Sequence, residues 1–346
     1  MIAKNPFTLT FGLKPNNYIS RIKQTDEIIA AFENKTSNVY MITGVRGTGK
    51  TVMLSHVSEY FGKKDDWVVV DILSEIDMLD QLASLLYDSS LVHRIIDGKT
   101  FGFSFSGISF SIKGEKPVTN VMSLLEILLD KYAKKNKKVL ICVDEATTNT
   151  YTKPFVQAIQ LLLRKNYDIY LLMTGLYQNL YDLQNNSTLT FLYRAPKIHL
   201  EPLNIGAITA SYKDIFNISF EEAKELAAIT KGYAYAYQVL GYLLWEKKVV
   251  KVDEKLLATL DQYLQEYVYD KIWMELSNKD QQLLLAFTSN ENMDVKDIEK
   301  VTGMNKKEIS VYRDRLIKRG LLSSPAYGKL TLSLPRFLVF INNQRY

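Results

Sequence analysis

Eight consecutive residues, Gly44-Val45-Arg46-Gly47-Thr48-Gly49-Lys50-Thr51, carry the most specific chemistry in the sequence. Gly44, Gly49, Lys50 and Thr51 stand at the G-x-x-x-x-G-K-T spacing of a phosphate-binding loop. Glycines let backbone N–H groups close around phosphate oxygens. At this spacing the Lys50 ammonium can reach β- and γ-phosphates, and the Thr51 hydroxyl can ligate Mg²⁺. Val45, Arg46, Gly47, Thr48 and the following Val52 complete the cradle. Arg46 is either a further phosphate contact or a surface charge.

Such a loop needs an acidic partner at the end of a buried strand. KVLICVDEA (138–146) supplies one, with apolar residues running into Asp144 and Glu145. Asp144 is placed to hold Mg²⁺, usually through water, and Glu145 to orient and deprotonate an attacking water. The plainer alternative is a strand end with two solvated acids. Thr174, closing IYLLMT (169–174), is expected to touch that water or the γ-phosphate, or else to cap its strand. Arg194, before KIHL (197–200), is expected either to sense the γ-phosphate, in cis or across a subunit boundary, or to be a solvated charge.

These residues need a scaffold, and the pattern around them specifies it. Short β-rich runs at 38–43, 67–72, 138–143, 169–174 and 197–200 alternate with helical stretches at 50–61, 77–87, 121–134 and 153–165. Continuous apolar strands separated by helices predict a parallel sheet covered on both faces. A stretch alternating about Ser106-Gly107 predicts a β-hairpin at 99–115. From Glu201 the chain turns helical, over 205–216, 219–230, 233–246 and 253–276, with Ser219 and Glu222 at capping-box spacing. Three short helices from 278 to about 320, with Asn305 as N-cap and Gly320 as terminator, precede two strands around a Pro/Gly turn. That is the layout of a winged helix-turn-helix. The expected domains are therefore 1–200, 201–277 and 278–346.

Composition narrows the function. The 346 residues contain one cysteine, Cys142, and three widely spaced histidines, so neither a disulfide nor a Cys-based metal cluster is expected. No apolar run approaches the roughly 18 residues of a membrane span, and no signal peptide is evident, so a cytoplasmic protein is expected. The net charge is +5. Residues 278–346 hold 12 Lys and Arg against 7 Asp and Glu, which is +5 and accounts for all of it. This basic excess suggests a polyanion partner at the C-terminal end. On its third helix Lys306, Lys307, Ser310, Arg313 and Lys318 fall on the outward positions. There they would meet double-stranded DNA, or simply be solvated.

Taken together these segments resemble the AAA+ ATPases of the replication-initiator, origin-recognition-like branch and their relatives, the STAND-type signalling ATPases. NPFTLTFG, GVRGTGKTVML, VDEA, IHLEPLN, TKGYAYAYQ and LPRFLVFI are similar to a prokaryotic group of such ATP-binding proteins. The resemblance implies an AAA+-like α/β core, a helical lid and a winged helix, with ATP or ADP and Mg²⁺ as cofactors. It also implies that the stretch through Pro15, Ile19 and Arg21 covers the adenine. The chain departs from the group in having Ser20-Arg21 for Gly-Arg, and Gly232-Tyr233-Ala234 for Gly-Tyr-Pro. No transporter signature and no second motor core are present. The expectation is a slowly hydrolysing, Mg²⁺-dependent ATPase acting as a DNA-associated switch. The alternative is a signalling or defence ATPase whose wing recruits a protein. Either would be a monomer or a nucleotide-dependent homo-oligomer.

Overall fold

The computed structural model describes residues 4–10, 15, 17–88, 120–186 and 189–345; the hairpin expected at 99–115 lies outside them. The chain forms two compact units. A sheet unit comprises Ile22–Thr43 and Met53–Ile198, and a helical unit comprises the residues up to Arg21, Gly44–Val52, and those from His199 onward.

The sheet unit runs α1 (Ile22–Glu33), β1 (Val39–Thr43), α2 (Lys50–Gly62), β2 (Trp67–Leu73), α3 (Met78–Asp88), α4 (Val121–Lys134), β3 (Lys138–Asp144), α5 (Thr152–Arg164), β4 (Ile169–Gly175), α6 (Tyr177–Gln184) and β5 (Lys197–His199). The strands lie in the order β2-β3-β4-β1-β5. The pairs β2–β3, β3–β4 and β1–β4 are parallel. Every residue of β1 and β4 is buried, as a parallel strand covered on both faces requires.

Alternate residues of the strands serve two different cores. One face is aromatic, with Phe32, Phe61, Trp67 and Tyr170 in successive contact at centroid distances of 4.0–6.0 Å. The other is aliphatic, where Val139, Ile141, Val143, Leu171 and Met173 meet helices α4 and α5 through Leu125, Leu128, Phe155 and Ile159. Each such fully buried side chain contributes about 1.5–3 kcal/mol. Helix α1 is an element the strand–helix alternation did not predict. Nothing in its sequence announces a cap, but Thr25, Ile28, Ile29 and Phe32 give it one buried stripe.

The helical unit begins with α7 (Ile205–Phe216), α8 (Phe220–Thr230) and α9 (Ala234–Lys247). The predicted Ser219–Glu222 capping box forms at the start of α8. Helix α10 (Glu254–Leu264) passes through a π-turn at Gln265–Tyr269 into α11 (Asp270–Met274). Then follow α12 (Asn278–Leu284), β6 (Asn292–Asp294), α13 (Val295–Thr302), α14 (Lys306–Lys318), β7 (Leu322–Ser323), β8 (Lys329–Leu332) and α15 (Phe337–Asn343). Strands β6 and β7 flank β8 antiparallel. Two strands were expected here, and the third, Asn-Met-Asp, is too short and polar to announce itself.

Asn305 caps α14 in a capping box with Glu308, and Gly320 follows it at φ +76°. One continuous core runs from Ile208 to Ile341. Two polar ties reinforce it: Tyr269 donates to the Pro335 carbonyl at 2.6 Å, and Arg336 pairs with Asp261 through bonds of 2.6 and 2.5 Å. Among the described residues no helix is long and apolar enough to cross a membrane.

Candidate nucleotide-binding site

The phosphate loop leaves the end of β1 and enters α2, the strand–loop–helix context its chemistry needs. Gly47 and Gly49 adopt φ of +75° and +91°, conformations that side chains resist. Within the loop the Thr48 hydroxyl donates to the Val45 carbonyl at 2.8 Å. The Lys50 ammonium donates to the carbonyls of Gly44 and Val45 at 3.1 and 3.0 Å, so the loop holds its own lysine over its mouth. Thr51 and Val52 follow in the first turn of α2, both partly buried.

Arg21 lies beneath this loop. Its guanidinium donates to the Thr48 carbonyl at 3.1 Å and to the Glu201 carbonyl at 2.6 Å. Burial lowers its pKa to about 10, with Glu201 acting in the opposite direction. Pro15 and Ile19 belong to the same N-terminal strap, and Ile19 packs on the core of the helical unit. The strap is tied to α7 and α9. Thr8 N–H donates to Gln238, Gln238 donates to the Asn17 carbonyl, and Asn17 donates to Ser211 and Tyr237.

Three contacts that residue order alone could not foresee close on the loop from within the same unit. At the start of α9, the Tyr235 N–H donates to the Gly47 carbonyl at 3.0 Å. The Tyr233 hydroxyl donates to the Arg46 carbonyl, so close that a Cβ on Gly47 would collide with it. The Arg46 guanidinium donates twice to Glu275, at 3.0 and 2.7 Å. Past α14, a Cβ on Gly320 would lie 2.5 Å from Cγ2 of Val45. TKGYAYAYQ had marked Tyr233 and Tyr235 by resemblance alone, and Gly320 had been read only as a helix terminator. Nothing in the sequence marks Glu275. His199 completes the surroundings, its pKa lowered by burial and by Lys50 and Arg21, against the pull of Glu201.

In the sheet unit the ends of β3 and β4 bring the predicted acids and hydroxyl together. Thr174 donates its hydroxyl to Asp144 Oδ1. The Glu145 N–H is shared between Asp144 Oδ1 at 3.1 Å and Thr174 Oγ1 at 3.2 Å. These atoms lie at the carboxyl ends of parallel strands, where α/β sheets place ligands. Glu145 itself adopts φ +50°, in the left-handed region. Cys142 is buried, and burial pushes its thiol pKa well up, as for an inert core residue. Arg194 ends the 3₁₀ turn Thr190–Arg194 ahead of β5, exposed beside Tyr193.

The outward face of α14 is mixed. Lys306, Lys307, Ser310 and Lys318 are exposed, whereas Arg313 pairs with the neighbouring Asp314 at 3.0 Å. Val311, 58% exposed, sits among them. Arg315 turns inward to the buried Asp280 at 2.5 Å.

Over nearly its full length the chain is similar in fold to several solved structures. A Walker-type ATPase of Pyrococcus abyssi matches at TM-score 0.67 and 12% identity, covering 97% of this chain and 99% of the other. The fold is that of the AAA+ P-loop ATPases. The ORC2 protein of Aeropyrum pernix matches at TM-score 0.59 and 14% identity, over 97% and 98% of the two chains. Cdc6p of Pyrobaculum aerophilum follows at 0.51 and 15%, over 96% of each. By sequence, residues 266–341 match a domain of unknown function (DUF8462), and residues 21–97 match the family described as mitochondrial ribosomal death-associated protein 3. No curated protein matches the sequence. At such identities the AAA+ likeness is one of fold.

Proposed function

We propose that this chain is an ATP-binding, slowly hydrolysing AAA+-type switch that acts on DNA through a C-terminal winged helix. The observation that carries the reading is the grip of α9 on the phosphate loop. Tyr235 and Tyr233 hold the carbonyls of Gly47 and Arg46, and the same core continues through α14 to the C-terminus. A phosphate that reshapes the loop therefore acts directly on the body that would contact DNA.

Within this reading the Lys50 ammonium and the loop N–H groups bind the phosphates. The Thr51 hydroxyl and the Asp144 carboxylate are hard oxygen donors of the kind Mg²⁺ takes alongside phosphate oxygens and water. When bound, the ion would neutralise phosphate charge. Glu145 accepts the proton of the attacking water, Thr174 holds Asp144 in place, and Arg194 is the candidate sensor of the γ-phosphate. The Aeropyrum pernix ORC2 structure, solved as ADPNP–ADP complexes, supports the nucleotide assignment by likeness of fold. Lys306, Lys307, Ser310, Arg313 and Lys318 are the proposed DNA contacts.

The alternative, a wing that recruits a protein, draws on the exposed Val311 and on the Arg313–Asp314 pair, which offsets positive charge on that face. The deciding experiment is ATP turnover of the wild type and Glu145→Gln, with and without duplex DNA, across a salt series. Turnover that rises with DNA and is lost in the variant supports the DNA switch. Turnover indifferent to DNA selects the protein-recruiting alternative, and absence of turnover under every condition overturns the ATPase reading.

A further inference from the structure

Glu145 occupies an unusual backbone position. Eight non-glycine residues among those described have positive φ, and six of them follow the last turn of a helix: Lys35, Asn136, Asn166, Asn217, Lys231 and Lys248. A left-handed residue is the ordinary way to close a helix. Glu145 instead follows strand β3, where continuing the pleat would cost nothing. A non-glycine side chain held at φ +50° costs about 1 kcal/mol or more, and persists only where surrounding contacts enforce it.

Those contacts come from both flanking strands. On the β4 side, Thr174 Oγ1 takes the Glu145 N–H, shared with Asp144 Oδ1 at the end of β3 itself, and the Thr174 carbonyl takes the Ala146 N–H at 2.7 Å. From the β2 side, the hydroxyl of Ser74 donates to the Glu145 carbonyl at 3.4 Å. Ser74, the residue after β2, is 5% exposed and is fixed in turn by Asn149, whose Nδ2 donates to the Ser74 carbonyl at 2.7 Å. Asn149 is anchored through its other atom: Oδ1 accepts from the N–H groups of Tyr151 and Thr152 and from the Thr152 hydroxyl, at 2.8–2.9 Å. The start of α5 thus holds Asn149, Asn149 holds Ser74, and Ser74 closes the turn at Glu145.

We infer that Ser74 and Asn149 are positioning residues that hold Glu145 in its left-handed turn and so aim the general base. The inference rests on the proposed ATPase function for its consequence in catalysis, but not for its structural claim. Neither residue belongs to a motif, because their role depends on β2 lying beside β3. Neither is proposed to touch nucleotide.

Two substitutions separate this role from general stability. Asn149→Asp keeps the acceptor oxygen that caps α5 and removes the donor to Ser74. Ser74→Ala removes the hydroxyl without adding charge, and Ser74→Thr keeps it. Amide hydrogen exchange of peptides spanning residues 144–147 reads the turn directly. ATP turnover, with affinity for a fluorescent ADP analogue measured separately, reads the consequence. The expected result is faster exchange at these amides in Asn149→Asp and Ser74→Ala. In both, kcat falls about tenfold, the worth of one buried hydrogen bond. KM and analogue affinity stay unchanged, and Ser74→Thr behaves as the wild type.

Unchanged exchange in both variants overturns the inference. Faster exchange with undiminished kcat overturns the aiming role. If the wild type turns over no ATP, the ATPase reading falls, and the exchange data still decide whether the pair holds the turn.

Discussion

Arg46, inside the phosphate loop, spends both a side-chain N–H and a terminal amino group on one oxygen of Glu275. Glu275 directly follows α11, and its own carbonyl accepts from Arg319 at 3.2 and 3.3 Å. The loop arginine is thereby committed to the segment that leads into the three-helix module. Both side chains are about a third exposed, so the pair contributes about 0.5–1 kcal/mol. Glu275→Gln and Arg46→Ala should each destabilise by that amount, and the double variant by no more than either, which a denaturation double-mutant cycle measures. The Glu275 variant should also bind ADP more tightly, because Arg46 becomes available to phosphate. Unchanged or weaker ADP affinity in Glu275→Gln would show that Arg46 has no such second use.

Gly320 makes a sharper prediction, because two separate penalties meet there. Its φ of +76° disfavours any side chain, and a Cβ would sit 2.5 Å from Val45 Cγ2. The backbone penalty for alanine is about 1 kcal/mol, and the steric one about 1–3 kcal/mol. Gly320→Ala should therefore destabilise by about 2–4 kcal/mol in equilibrium unfolding. Val45→Ala removes the clashing methyls but not the backbone strain. Adding it to Gly320→Ala should recover the steric part alone, and strict additivity of the two losses would mean the residues do not meet in solution.

Much of this architecture could be read from residue order. The five strands and the helices at 50, 121 and 205 formed within a residue or two of their expected bounds, because apolar runs and caps are local signals. The placing of the glycine loop between β1 and α2, and of Asp144 and Glu145 at the end of β3, was legible for the same reason. What stayed hidden depends on tertiary neighbours. Ser74 gains its role from β2 pairing with β3, and Glu275 from the chain returning to the loop after more than two hundred residues. The π-turn at 265–269 was hidden too, since its composition reads as ordinary helix. Arg313 was expected on an outward position, to meet DNA or be solvated, and its pairing with the adjacent Asp314 was not foreseen.

Stability should also depend on pH through one pair at the edge of the sheet unit. Glu33 accepts hydrogen bonds from Lys64 and, at 2.8 Å, from the Tyr60 hydroxyl. The Lys64 bond is the main reason its pKa lies below the ordinary 4.5, with burial opposing. A carboxylate with a lowered folded pKa stabilises fully above its unfolded value and loses that contribution as pH falls through the folded one. Exposure limits the effect to about 0.5 kcal/mol. Glu33→Gln should be less stable than wild type by that margin near neutral pH. The gap should close as pH drops below 4.5, in urea titrations at matched ionic strength. A gap that stays constant into acid would assign the effect to packing.

Asp314 offers the cleanest test of what the outward face of α14 meets. Its carboxylate takes two bonds from Arg313, at 3.0 and 3.3 Å, between exposed Lys307 and Lys318. Asp314→Asn removes one negative charge and releases Arg313 without altering the buried side of the helix. If this face binds DNA phosphates, the variant should bind duplex DNA several-fold more tightly at low salt. Its log K against log salt slope should steepen by about one, the signature of one added phosphate contact. Lys306→Ala and Lys307→Ala should shift the slope about as far in the other direction. A protein-binding face gives a different pattern, because Val311 would then carry the contact. Val311→Asp would abolish partner binding, and no variant in the set would produce a salt-dependent change with DNA. Because the Arg313–Asp314 pair is partly solvated and lies at the surface, none of these substitutions should change the unfolding free energy by more than about 0.5 kcal/mol. A difference in DNA binding would therefore report the surface and not the fold.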